Sequence, residues 1–233
     1  MTIMRLKYKK DKNLKFVSHL ELMKTVERIF RRMKLPMKFS QGYNPRPKLS
    51  FAAPLPVGVS GECEYLDVEL LETVEINDFL RNQESFMPDG LEFLAGAYLE
   101  KSKSPMSLVS SSEYIINIEV EEAIEPLLMK EKIASLLNRD EAIMKKVNKK
   151  GKMKETNIRD RIYSIEYMTC IDGCIVLRTK LSTGSEANLK PEVMMDLFDQ
   201  YETLGLIAHK LRIHRIDLKA SVGGKEVDLM SAR

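Results

Sequence analysis

"SHLELMKTVERIFRRMKLP", residues 18–36, carries the clearest structural signal in the chain. Ser18 followed three positions later by Glu21 is a capping box, in which each residue satisfies a backbone N–H group left open at a helix start. Leu22, Met23, Val26, Ile29, Phe30 and Met33 then recur at helical spacing as one apolar stripe. The helix therefore runs to about residue 34 and lies on a sheet, and Pro36 stops it. Upstream, residues 3–10 (IMRLKYKK) alternate as a strand, with Ile3, Arg5 and Lys7 opposed to Met4, Leu6 and Tyr8. Downstream, LSFAAPLPVGV and EYLDVELLE read as extended, EINDFLRNQ as a short helix capped by Asn77 or Thr73, and LEFLAGAYLE as a strand. The order β-α-β-β-α-β predicts a ferredoxin-like sandwich.

The pattern then starts again. KSKSPMSLVSSS (101–112) is polar, serine-rich and interrupted by Pro105, which reads as a linker. EYIINIEV is an alternating strand, and Pro126 opens a helix reaching Asn138. Residues 141–147 and 161–169 extend around a lysine-rich connection, and CIVLRTKL is a further strand. PEVMMDLFDQYE is a helix and LRIHRIDLKA a closing strand. The expected fold class is α+β, with two tandem ferredoxin-like units of antiparallel sheet and helices on one face. The first spans 1–100 and the second 113–220, with a loose tail over 221–233. The 233 residues, 44% apolar, suffice for two cores of this size.

Composition narrows the chemistry. No run of about 18 apolar residues exists to span a membrane. The charged start MTIMRLKYKK lacks a signal core. Three unevenly placed cysteines suit a reducing cytoplasm better than a disulfide framework. Cys170 and Cys174 are spaced C-x3-C, but Leu177 stands where an iron–sulfur motif needs its third thiolate. His209 and His214 lie far from any zinc-type cysteine pair. Neither a phosphate-cradling glycine loop nor a nucleophile elbow is present. No metal and no cofactor are expected.

The net charge of +3 conceals an asymmetry. Residues 1–50 hold 14 Lys and Arg against 3 acids, whereas residues 61–100 hold 11 acids against Arg81 alone. Such a bias marks a surface facing a polyanion or a solvated lysine face. Lys24, Arg28 and Arg31 lie at i, i+4 and i+7, almost opposite the apolar stripe. The loop SQGYNPRPKLSF (40–51) follows directly. Gly42 permits positive φ, while Pro45 and Pro47 restrict their neighbours, so the loop is stiff. It presents Gln41, Tyr43, Asn44, Arg46 and Lys48, and an aromatic beside two cations can stack a base and neutralise a phosphate. A second basic cluster, KKVNKKGKMK, contributes Lys145, Lys146, Lys149, Lys150, Lys152 and Lys154 as a phosphate-tracking hairpin tip or a solvated loop. Gly184, Ser185 and Asn188 precede a helix at Pro191, where backbone N–H groups either hold an anion or are capped locally.

His19 is the one catalytic candidate. An imidazole beside Ser18 at a helix start can act as a general base, since the helix terminus favours its neutral form. It can equally bind a ligand or serve the cap.

The motifs F-x-S-H-L-x-L-M, S-Q-G-Y-N-P-R-P-K-L-S-F, P-L-P-V-G and E-Y-L-D-V-E-L, echoed at G-S-E-A-N-L-K-P-E, resemble the radical SAM-linked protein family, a bacterial domain of unknown function (DUF2344). The shared pattern covers Ser18, His19, Gln41, Gly42, Asn44, Pro45, Pro47, Ser50 and Phe51. It continues through Pro54, Pro56 and Gly58, then Gly184, Ser185, Asn188 and Pro191. Arg46 stands where the family often has His. The resemblance implies a neighbour or fusion partner that is a B12-binding radical SAM protein. The expected function is a non-catalytic module that binds RNA, tRNA or rRNA, for such an enzyme. The alternatives are an adaptor docking an acidic protein, and a metal-independent RNA-processing enzyme using His19.

Overall fold

The computed structural model describes residues 2–99, 103–147, 151, 153–171, 173–185, 187–207 and 210–232. The first half of the chain forms β1 (Thr2–Lys10), α1 (His19–Arg32), β2 (Leu49–Phe51), β3 (Ser60–Leu70), α2 (Ile76–Arg81), β4 (Leu91–Leu99) and the short α3 (Pro105–Leu108). The second half forms β5 (Val109–Glu119), α4 (Pro126–Leu137), β6 (Ile143–Val147), β7 (Met153–Asn157), β8 (Ile162–Ile171), β9 (Cys174–Ser182), α5 (Pro191–Glu202), β10 (Arg212–Val222) and β11 (Lys225–Asp228). The architecture is mixed α+β with mainly antiparallel pairing. Among the described residues no helix is long and apolar enough to cross a membrane.

The chain divides into two compact units, residues 1–110 with 215–233, and residues 111–214. In the first, β1 runs antiparallel between β3 and β4. β2 pairs antiparallel with β3, β10 adjoins β3, and β11 pairs antiparallel with β10. The period-2 alternation of β1 and β3 puts Met4, Leu6, Tyr8, Leu66, Val68 and Leu70 on one face. There they meet Leu22, Val26, Ile29 and Phe30 from the α1 stripe. Each such side chain contributes about 1.5–3 kcal/mol on burial. Phe30 stacks on Phe93 at 5.4 Å between ring centroids.

The opposite face of β3 is also covered, and this corrects the expected boundaries. Residues 221–232 are not a loose tail. β11 and the segment after it lay Leu229 and Ala232 over Cys63, Tyr65, Leu218 and Ala220. Arg5, fully buried, holds Asp67 through Nε at 2.7 Å and Nη2 at 2.9 Å, and donates to the Leu229 carbonyl at 2.7 Å. The tail supplies carbonyl acceptors to a charge that the first strand buries, so tail and strand order each other. The second unit therefore ends at His214 rather than at 220. Nor is 101–112 a linker throughout: Pro105–Leu108 is helical and β5 begins at Val109. The α2 cap differs too, since Glu75 is its N-cap residue without a side-chain bond and Asn77 lies inside the helix.

In the second unit β9 runs antiparallel between β5 and β8, and α4 packs on β8 and against α5. Its buried side chains include Ile116, Ile118, Met129, Leu136, Leu177 and Phe198. β6 and β7 form a separate antiparallel ribbon. Cys170 pairs across from Ile175 and Ile171 from Cys174. Strand alternation thus sends the two thiols to opposite faces of the hairpin, where they cannot share a ligand.

Candidate nucleic-acid interface

Ser18 is the N-cap of α1, as its spacing to Glu21 predicts. Its Oγ accepts from the Glu21 N–H at 3.4 Å and donates to the Glu21 carboxylate at 3.3 Å. Burying the stripe turns Lys24, Arg28 and Arg31 outward, and all three are exposed. Their charges are not equivalent. Arg31 pairs with Glu27 at 2.7 Å and lies over the Phe39 ring at 5.4 Å, whereas Lys24 and Arg28 have no ion pair among the described residues.

The Phe39 contact joins α1 to the loop. Residues 37–39 and 47–51 follow β3 one after the other: Met37 bridges Leu70, Lys38 N–H donates to Glu69, and Leu49 pairs with Val68. Residues 40–46 leave this line as an excursion whose neck is closed at the Phe39–Pro47 bridge. Ser40 N–H donates to the Arg46 carbonyl at 2.8 Å, and the Arg46 N–H donates to Ser40 Oγ at 3.0 Å. Proline has no N–H to give a ladder, so Pro45 and Pro47 suit a segment leaving the sheet. Gly42 takes φ +122°, with nothing within 4 Å of the place a Cβ would occupy. Tyr43 is fully exposed. Gln41, Asn44 and Arg46 are exposed around it. Lys48, at the neck, turns back to Glu69 at 3.2 Å.

His19 lies elsewhere on α1, packed edge-on against Phe51 at 5.0 Å. Its Nδ1 is buried without a partner. Burial first, and the Lys10 charge second, lower its pKa, which keeps the ring neutral near pH 7. Beneath it is a group that the sequence reading missed. Lys10 and Glu64 are each 1% exposed, and Arg215 and Tyr8 each 2%. Arg215 clasps Glu64 through both nitrogens of a bidentate pair, with Nε to Oε1 at 2.7 Å, and also reaches the Ala53 carbonyl. Burial raises the Tyr8 pKa, with Glu64 adding to it, and lowers that of Lys10. One signal for Lys10 was present: alternation carries the inward face Met4, Leu6, Tyr8 on to position 10. Nothing in the sequence marked Arg215 as its neighbour.

The other candidates belong to the second unit. Lys145 and Lys154 are exposed on the β6–β7 ribbon, and Lys145 pairs with Glu155 at 3.2 Å. Lys149, Lys150 and Lys152 lie outside the described residues, as does the side chain of Lys146. Ser185 and Asn188 are exposed and Gly184 has φ +137°. The N-cap of α5 is Lys190, which makes no side-chain cap bond. Asn188 therefore does not cap α5.

A family model described as an uncharacterized protein conserved in bacteria (DUF2344) matches residues 4–191. The chain belongs to this family. No curated protein matches the DUF2344 chain. Among solved structures it is similar to a chain of a Cbf5-Nop10-Gar1 complex, with 10% identity and a TM-score of 0.51, covering 91% of this chain and 47% of that one. An archaeal box H/ACA sRNP Nop10-Cbf5 complex gives 11% identity, a TM-score of 0.47, and 91% and 46% coverage. The DUF2344 chain thus spans about half the length of the structures it matches, and the likeness is one of fold.

Proposed function

We propose that the protein is a non-catalytic RNA-binding accessory module, acting in the cytoplasm beside a separate B12-binding radical SAM enzyme to which it presents RNA. The observation that carries the reading is the loop over residues 40–46: a neck closed by paired hydrogen bonds holds a fully exposed Tyr43 and an exposed Arg46, and Phe39 at that neck lies under Arg31 of α1. An aromatic held this way loses little freedom on binding, and base stacking on it is tolerant of sequence. We read both units as ferredoxin-like variants. In the first, the antiparallel order β4-β1-β3 with β2 on β3 supports this; in the second, the order β5-β9-β8 does.

Because Glu27 and Glu69 already answer Arg31 and Lys48, about three cations, Lys24, Arg28 and Arg46, are left to meet phosphates. Titration of labelled single-stranded RNA against salt then gives a log–log slope of about −2. Lys24→Glu with Arg28→Glu abolishes binding and leaves the fold unchanged by circular dichroism. A flat slope removes the RNA reading.

A second reading, docking of a protein partner, is favoured by Phe16, Leu20 and Val57, which are 61%, 63% and 58% exposed. A bond from Gly58 N–H to the Lys15 carbonyl joins the segment of Val57 to that of Phe16. Co-purification of the radical SAM protein that survives nuclease treatment and is lost in Leu20→Asp supports it.

A further inference from the structure

We propose that Lys10, His19 and the first turn of α1 form a binding site for a phosphate-type oxyanion. The site is separate from the loop over 40–46 and does not rest on the RNA reading. Lys10 is almost fully buried, and its ammonium gives one hydrogen bond, to the Val17 carbonyl at 2.8 Å. Two of its three N–H donors therefore have no protein acceptor among the described residues. The carboxylate that acts on it, Glu64, is taken bidentately by Arg215. The interior thus carries one positive charge more than it answers, an arrangement that costs several kcal/mol unless a counter-charge is supplied.

The surroundings suit an anion. The Val17 carbonyl that anchors Lys10 immediately precedes the cap of α1, a helix of 14 residues. Ser18 satisfies the Glu21 N–H, while the N–H groups of His19 and Leu20 find no acceptor among the described residues. Exposed N–H groups at a helix start are ready donors to an oxyanion. The Nδ1 of His19, on which the Lys10 charge acts, is buried without a partner. His19 is the part-exposed member of the group. The charge that acts on the ring is Lys10; Glu64, which acts on Lys10, is held by Arg215, and Glu21 is tied to Ser18. A phosphate group is the chemistry that meets an ammonium and several N–H donors at once.

The test is thermal unfolding of the full chain at constant ionic strength, with inorganic phosphate replacing chloride. Above half-saturation each tenfold rise in phosphate lifts the wild-type midpoint by about 3–5 °C. In Lys10→Met only the small general salting effect remains, and its midpoint in chloride is not below that of wild type. Equal phosphate responses in the two proteins overturn the site. NMR of the wild-type His19 imidazole protons gives a second readout that needs no variant. Phosphate raises the His19 pKa with the same midpoint concentration as the thermal effect, and an unmoved His19 overturns the proposal. Competition then separates the sources. Displacement of phosphate by a short 5′-phosphorylated RNA but not by its 5′-hydroxyl form assigns the site to an RNA end. Displacement by neither assigns it to a small phosphate compound. A flat RNA salt slope together with a phosphate-shifted His19 sinks the RNA reading and keeps this site.

Discussion

Arg215 and Arg46 belong to the same unit, yet the first gives its guanidinium to Glu64 and the Ala53 carbonyl in the interior, while the second projects into water from a closed loop. Arg5 and Asp67 repeat the inward pattern on the other face of β3, sealed by the C-terminal carbonyls. Tyr65 and Tyr43 repeat the contrast: Tyr65 is buried and donates to Asp228, and Tyr43 is fully exposed. The lesson concerns what a polar side chain costs. The buried carboxylates of β3, Glu64 and Asp67, are matched by Arg215 of β10 and Arg5 of β1, so these pairs hold the unit together, while Lys10 at the end of β1 has no such partner to itself. On the loop a large aromatic stands in water, where it adds nothing to the packing of the unit.

The comparison predicts effects of graded size. Glu64→Ala strands Arg215 in the interior and lowers stability by about 3–5 kcal/mol in urea unfolding; a loss below about 1 kcal/mol would place Arg215 with the exposed arginines and break the contrast. Tyr43→Ala acts in the opposite sense. It weakens RNA binding by about 1–3 kcal/mol in anisotropy titrations and changes stability by no more than about 0.5 kcal/mol. A stability loss as large as the binding loss would show that Tyr43 packs. Ser18→Ala removes the α1 cap and costs about 1 kcal/mol, testing whether the helix that carries both faces is held at its start.

The smallest effect sharpens the inward half. Burial pushes the Asp217 carboxyl up, but Lys219 at 2.8 Å, the Leu218 N–H and Cys63 together bring its pKa below the ordinary carboxylate value. A group depressed in the folded state contributes stability that is present above its unfolded pKa and is lost as pH falls through the folded one. Asp217→Asn therefore flattens the acid limb of the stability–pH curve and leaves the neutral plateau little changed.

Much of the fold was legible. The capping box at Ser18, the α1 stripe, the helix from Pro191 to Glu202 and the strand at 174–182 follow from local spacing, because cap chemistry and periodicity act within a few residues. The loop over 40–46 was legible as a turn-rich connection for the same reason. Its neck was less so, since the Ser40–Arg46 closure depends on two segments following β3 in turn. Misreadings fell where partners are remote. Residues 221–233 look like a tail because their glycines and charges give no local pattern, yet Arg5 lies 224 positions from the Leu229 carbonyl it binds.

What the sequence by itself determined is the set of local elements and which side chains are available at their ends: an amphipathic basic helix, its cap, and a proline-stiffened loop bearing Tyr43 and Arg46. What only the tertiary structure decided is which charges are answered. Glu27 and Glu69 quiet Arg31 and Lys48, Arg215 takes Glu64, and Lys10 is left buried with a single carbonyl. Electrostatic energy depends on distance and on exclusion of water, and neither is set until strands far apart in sequence lie side by side.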